Sequence, residues 1–293
     1  MKKQIFTIFI SALLIASNML QAQNNNQFAQ ITTSSDIDYN FEFDWDDSAQ
    51  PMIELNYGFS NFKHKNFGED FSNAGITEIK LGYSSVDEYY KAPILEFHDK
   101  FLFVSHISDD LSSASKDDKT KLSAWRFGFA NRNGYGYRAG KISILPYDQN
   151  GFVWSNISSE RLMNSSPSQL KIIDRYEDTF RFGSQAEGGV RIDYNDFISI
   201  NAGYEATVIF PRHLFWKWAG SEVIKYIGLG ALSYFTDEII ESTPEAGPII
   251  NFVLQNAFAY GFYSLQRNKM NWPFSSETPL TLETFKIGMS FTF

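Results

Sequence analysis

The stretch "TFKIGMSFTF", residues 284–293, decides how the rest of the chain is read. Phe285, Ile287, Met289, Phe291 and Phe293 are apolar, while Lys286, Gly288, Ser290 and Thr292 between them are polar or small. Successive side chains of a strand point to opposite faces, so this stretch is expected to be a β-strand with one apolar and one polar wall.

The same period recurs upstream. Ile53, Leu55, Tyr57 and Phe59 alternate with Glu54, Asn56, Gly58 and Ser60, and Ile79, Leu81 and Tyr83 alternate with Glu78, Lys80 and Gly82. Trp125, Phe127 and Phe129 stand against Arg126, Gly128 and Ala130, and residues 198–208 alternate over their whole length. A two-sheet sandwich alternates in this way with its polar side in water. A membrane barrel does so with its polar side toward a lumen, across which charges of both signs can pair. The polar walls here carry Glu54, Glu78, Lys80, Arg126, Arg191, Glu205 and Lys286, the candidate lumen-facing charges.

Composition favours the barrel. Aromatic residues make up 17% of the chain, with 28 Phe and 15 Tyr, yet mean hydropathy is only −0.26. Bulky apolar residues in a chain of modest average hydropathy are those of strands apolar on one side only. The formal charge of −9 argues against nucleic acid and against a polybasic membrane patch as the binding mode. With no cysteine, disulfides, thiolate metal sites and a lipidated cysteine are excluded.

Two tight hairpins are expected, at 130–136 ("ANRNGYG") and 193–199 ("DYNDFIS"), each with Asn, Asp or Gly at its bend. Barrels of this type have short turns at the periplasmic end and longer loops outside, which places the charged, serine-rich 108–120 stretch outside. Strands are expected near 51–60, 76–83, 94–107, 121–131, 135–145, 187–194, 196–210 and 283–293, with two more possible in 151–182. The segment "DIDYNFEFDWDD" (36–47) alternates as well, either as a first strand or as an acidic segment at the periplasmic rim or in the lumen.

Between the last two strands the period changes to that of helices. Residues 210–240 and 247–269 read as a helical hairpin, with Gly247 and Pro248 suited to the start of the second helix. That second helix is apolar almost all round, interrupted by Asn251, Gln255, Asn256 and Ser264, so it is expected to be buried in protein or in lipid. The first carries Arg212, His213 and Lys217 at its start and Asp237, Glu238 and Glu241 at its end, against the helix dipole, which suggests either partners outside the helix or solvated ends.

The expected organisation is a signal peptide over 1–22, with two lysines, a short apolar core and cleavage near Ala22, then an acidic segment or first strand over 23–50. Barrel strands occupy 51–210, a helical hairpin acting as plug, cap or leaflet helix occupies 211–270, and the closing strand lies in 271–293. The fold class is an antiparallel transmembrane β-barrel of about 8–12 strands with a two-helix insertion before the last strand.

Few motifs carry chemistry. His64, His98, His106 and His213 lack metal-ligand spacing, so neither a metal site nor a cofactor is expected. Ser105 and His106 are adjacent on a strand and point to opposite faces, so they cannot act as a nucleophile–base pair. The glycine-containing "GYGYRAG" (134–140) and "GLGALS" (228–233) do not lie at a strand-to-helix turn that would present amides to a pyrophosphate.

The N-terminal segment, the absence of cysteine, the alternating aromatic strands and the terminal "KIGMSFTF" together resemble a Gram-negative outer-membrane β-barrel protein. The resemblance implies residence in the outer membrane after Sec export, outer-membrane lipid as a partner, and recognition of the last strand by the barrel assembly machinery through Phe293, Phe291 and Met289. It implies no enzyme activity, and a structural role, a narrow or plugged channel, or surface binding. Two alternatives remain at this level: a barrel enzyme acting on lipid with His98, His106 or His213 as base, and a soluble periplasmic β-sandwich.

Overall fold

The computed structural model describes residues 49–89, 94–112, 119–160, 166–195 and 197–293. The expected signal peptide and the 36–47 segment lie outside the described residues, as does 113–118 of the 108–120 loop.

Eight strands form a closed barrel: β1 (Gln50–Lys63), β2 (Ala74–Glu88), β3 (Leu95–Ser108), β4 (Lys121–Ala139), β5 (Ile142–Glu160), β6 (Phe180–Tyr194), β7 (Ile198–Ile209) and β8 (Leu280–Thr292). Each pairs antiparallel with the next, and β8 closes on β1 with Leu55 opposite Met289 and Phe59 opposite Phe285. Closure leaves no sheet edge and overturns the sandwich alternative. Among the described residues three α-helices lie between strands: α1 (Pro167–Ile173) before β6, and α2 (Phe215–Ser242) and α3 (Gly247–Gln266) between β7 and β8.

The two ends of the barrel differ. Short connections join β4 to β5 and β6 to β7, at the end where β1 begins and β8 finishes. In the first, Gly140 has φ +66°, a left-handed conformation that a residue without Cβ adopts at no steric cost. The connections after β1, β3, β5 and β7 are longer and share the opposite end.

The expected hairpin at 130–136 is not a turn. β4 runs unbroken through it, and the bend falls at Gly140 and Lys141. Period two in fact persists, since Arg126, Ala130, Arg132, Gly134 and Gly136 all point inward. The outward series changes from Phe127 and Phe129 to Asn131 and Asn133, because this part of the outer wall carries a polar row in which His98 bonds Asn133. Among the described residues of 151–182 no further strand is present either: they hold the end of β5, α1 and the start of β6. The hairpin expected at 193–199 is present, with Asn195 at φ 62° in its turn.

Candidate functional site

The lumen is where the sequence places charge, and it is filled by side chains. Leaving out the α2 helix, the buried charged residues among the described ones are the acids Glu54, Glu78, Asp99, Glu187, Asp193 and Glu205 and the bases Lys80, Arg126, Arg132, Arg191 and Lys286. All stand on inward positions of the strands, so alternation alone brings six acids and five bases into one enclosed space.

Their contacts form a continuous network. Glu54 takes a two-pronged interaction from Arg132, with Nη1 2.9 Å from Oε2 and Nη2 3.0 Å from Oε1. Lys80 Nζ lies 2.9 Å from the same carboxylate, which also accepts from Asn56, Asn201 and Ser290. Arg132 reaches on to Asp99 at 3.1 Å, and Asp99 in turn pairs with Arg191, which holds Asp193 at 2.6 Å. On the other side Lys286 sits among three carboxylates, 2.9 Å from Glu78, 2.8 Å from Glu187 and 2.7 Å from Glu205, and Glu205 also accepts from Arg126. Aromatic faces fill the gaps, with Arg132 over Tyr147 and Lys80 over Phe101. Such pairs, removed from water and multiply bonded, hold the opposite walls of the barrel together.

Above the network, toward the long-loop end, an apolar ring closes the lumen. Phe62, Ile76, Ile107, Leu122, Ile157, Ile209 and Leu282 converge from seven of the strands. Phe67 and Phe71, stacked 4.3 Å apart in the β1–β2 loop, pack onto it with Ile173 of α1 and Tyr176. His64 leans edge-on against Tyr176, and burial, reinforced by the Arg175 charge, holds its imidazole below the ordinary value.

All seven of the charges named from the sequence meet in this lumen, and four more belong with them: Asp99, Arg132, Glu187 and Asp193. Extending the inward series two residues at a time along β3, β4 and β6 reaches each of them, and Arg132 was hidden by the turn-like composition around it. Phe291 and Met289 face outward on β8, and the backbone N–H of Phe293 bonds Pro51 of β1.

The histidines are scattered. His106 stacks outside on Trp125 at 4.4 Å, whereas Ser105 is buried in the lumen. His213 packs against Phe182 and Trp218 in the loop before α2, where burial lowers its pKa. His98 stands on the outer wall between Asn133 Oδ1 at 3.0 Å and Glu96 Oε1 at 3.2 Å.

The outside of the barrel inverts the usual rule. Leu55, Phe59, Leu81, Leu102, Trp125, Ile200 and Ile287 are all exposed, Leu102 by 66%, while the charges lie within. A water-soluble barrel would present the reverse. This is the architecture of an outer-membrane β-barrel.

No family model and no curated protein sequence matches the chain. Among solved structures, the outer-membrane-type barrel is similar to the neisserial surface protein NspA, with 9% identity over 84% of this chain and 99% of that one, at a TM-score of 0.42. It is similar also to Ail, the attachment invasion locus protein of Yersinia pestis, crystallised with a heparin analogue, with 11% identity, the same shares of the two chains and a TM-score of 0.33. The transport unit of the Escherichia coli autotransporter AIDA-I aligns at 9% identity over 67% of this chain and 60% of that one, with a TM-score of 0.24.

Proposed function

We propose that the chain is an outer-membrane protein whose lumen does not conduct, and that it acts as a structural or surface-binding barrel, neither an enzyme nor a diffusion channel. The observation that carries this reading is the lumen itself: charge pairs crossing it, Arg132 of β4 to Glu54 of β1 and Arg126 of β4 to Glu205 of β7, beneath an apolar cluster. An eight-stranded barrel has an interior just wide enough for its own side chains, which agrees with such a filling. The part available to a partner outside the membrane is then the long-loop end, built from the connections after β1, β3, β5 and β7. On this reading bilayer lipid covers the exposed apolar wall, and the barrel assembly machinery engages β8 through Met289, Phe291 and Phe293.

Reconstitution in a planar bilayer tests the sealed lumen. The expected record shows no reproducible conductance step at moderate voltage. A steady unit conductance that disappears when the protein is omitted would contradict it.

A further inference from the structure

The hairpin of α2 and α3 neither enters the lumen nor sits over its mouth; it lies along the outer wall of the barrel. Near the long-loop end Trp218 packs on Phe152 and Phe182. Toward the short-turn end Tyr135 donates to Asp237 and Tyr137 donates to the carbonyl of Glu245. On the return, Asn256 donates to the carbonyl of Tyr147 at 3.1 Å, and Tyr263 donates to Glu283 at 3.2 Å. The two helices thus cover the height of the strands.

Both helices are inside out. The buried stripe of α2 includes Ser221, Glu222, Lys225 and Thr236, and that of α3 includes Asn251, Gln255 and Gln266. Gln255 bonds Ser233 across the hairpin at 2.9 Å. The exposed side instead carries Trp216, Ile227, Tyr234 and Phe235 on α2 and Ile249 and Val253 on α3, with Ile227 68% exposed. A helix that hides amides and charges and displays isoleucine and phenylalanine is placed for an apolar solvent.

Length and charge give a second, independent measure. Between Lys217 and Asp237 the charged residues of α2 are Glu222 and Lys225, both buried, so its outward surface is uncharged for nineteen residues, about 28 Å of helix. All 20 residues of α3 are uncharged, about 30 Å. The apolar band of an outer-membrane barrel is about 25 Å tall, and charges stand at both borders of the band: Arg212, Lys217, Arg267 and Lys269 at one, and Asp237, Glu238, Glu241 and Glu245 at the other.

We propose that the outward face of the α2–α3 hairpin is a lipid-contacting surface, its occupant the acyl chains of the bilayer, continuous with the apolar wall of the barrel. This rests on the reading of the barrel as a membrane protein and extends it to an element that crosses beside the strands. Among the described residues no helix is long and apolar enough to cross a membrane alone. The seam explains why: polar side chains of the pair turn inward, where Gln255 bonds Ser233 of the facing helix and Asn256 bonds the carbonyl of Tyr147 on the wall, so the pair enters lipid only when docked on the barrel. Neither helix then has to act as a span during export.

The chain has no cysteine, so one introduced cysteine accepts one spin label. Ile227→Cys and Val253→Cys report the hairpin, with Phe235→Cys in reserve if either fails to reconstitute, and Leu102→Cys reports the barrel wall. In vesicles of phosphatidylethanolamine and phosphatidylglycerol, labels at 227 and 253 are expected to match the label at 102, colliding severalfold more with oxygen than with a water-soluble nickel chelate. If 102 gives that pattern but 227 and 253 favour nickel, the lipid-facing hairpin is wrong and the membrane barrel stands. If 102 favours nickel as well, the membrane reading itself fails. Spin–spin broadening at 227 or 253 would mean that a second copy covers the face, which also overturns the proposal.

Discussion

Glu54 meets five side chains at once: Lys80, Arg132, Asn56, Asn201 and Ser290. Removing its charge leaves two buried cations underpaired, and breaking a buried pair from one side costs about 3–5 kcal/mol. Glu54→Gln is therefore expected to lower the urea midpoint of the folded barrel strongly. Arg132→Met alone should do so too, since Glu54 and Asp99 then lose a shared partner. The double variant is expected to lose less than the sum of the two, because each change removes part of what the other strands. Midpoints from urea titrations of the four proteins check this, and strict additivity would mean that the pair does not act as one unit.

At the scale of elements, the docking of the hairpin turns on close approach. A Cβ on Gly188 of β6 would stand 2.2 Å from Asn256 Oδ1 of α3, so a larger residue must push aside the amide that bonds the carbonyl of Tyr147. Gly188→Val is expected to displace the hairpin by overpacking, at a cost of about 1–3 kcal/mol, while the β6 pairing persists. Limited proteolysis should then cut within 211–270 of the variant at protease levels that spare the parent, with the barrel strands still protected. Equal resistance of both proteins would contradict the account. The existence of the hairpin was legible in the sequence, from the change of period after Phe210 and from Gly247 and Pro248. Its position was not, because the residues that dock it are single polar groups, Asn256, Tyr135 and Asp237, with no periodic signature. The charges at the two ends of α2 did signal something outside the helix, since their order opposes its dipole. Partners off the helix are present: Lys217 donates to the carbonyl of Ser275, Arg212 pairs with Glu277, and Asp237 accepts from Tyr135.

For the whole molecule, closure was legible because β1 and β8, the two strands that meet at the seam, obey one rule, apolar outward and polar inward; β3 departs from it, with Phe97, Phe101 and Phe103 turned inward. The rule was lost where the outward side became polar, at Asn131 and Asn133, and there a continuous strand was read as a turn. The lumen was half legible: its charges could be named, but which acid meets which base depends on register and on reach across the barrel, as when Lys286 of β8 touches Glu187 of β6. The account as a whole stands on the inverted surface, apolar outside and charged within. It is tested most directly by recovering the protein from the outer-membrane fraction of a Gram-negative host and comparing its gel migration with and without boiling. The account predicts recovery in that fraction and a compact, detergent-resistant band that shifts to the unfolded position on heating. Recovery in the aqueous fraction, with a band indifferent to heat, would contradict it.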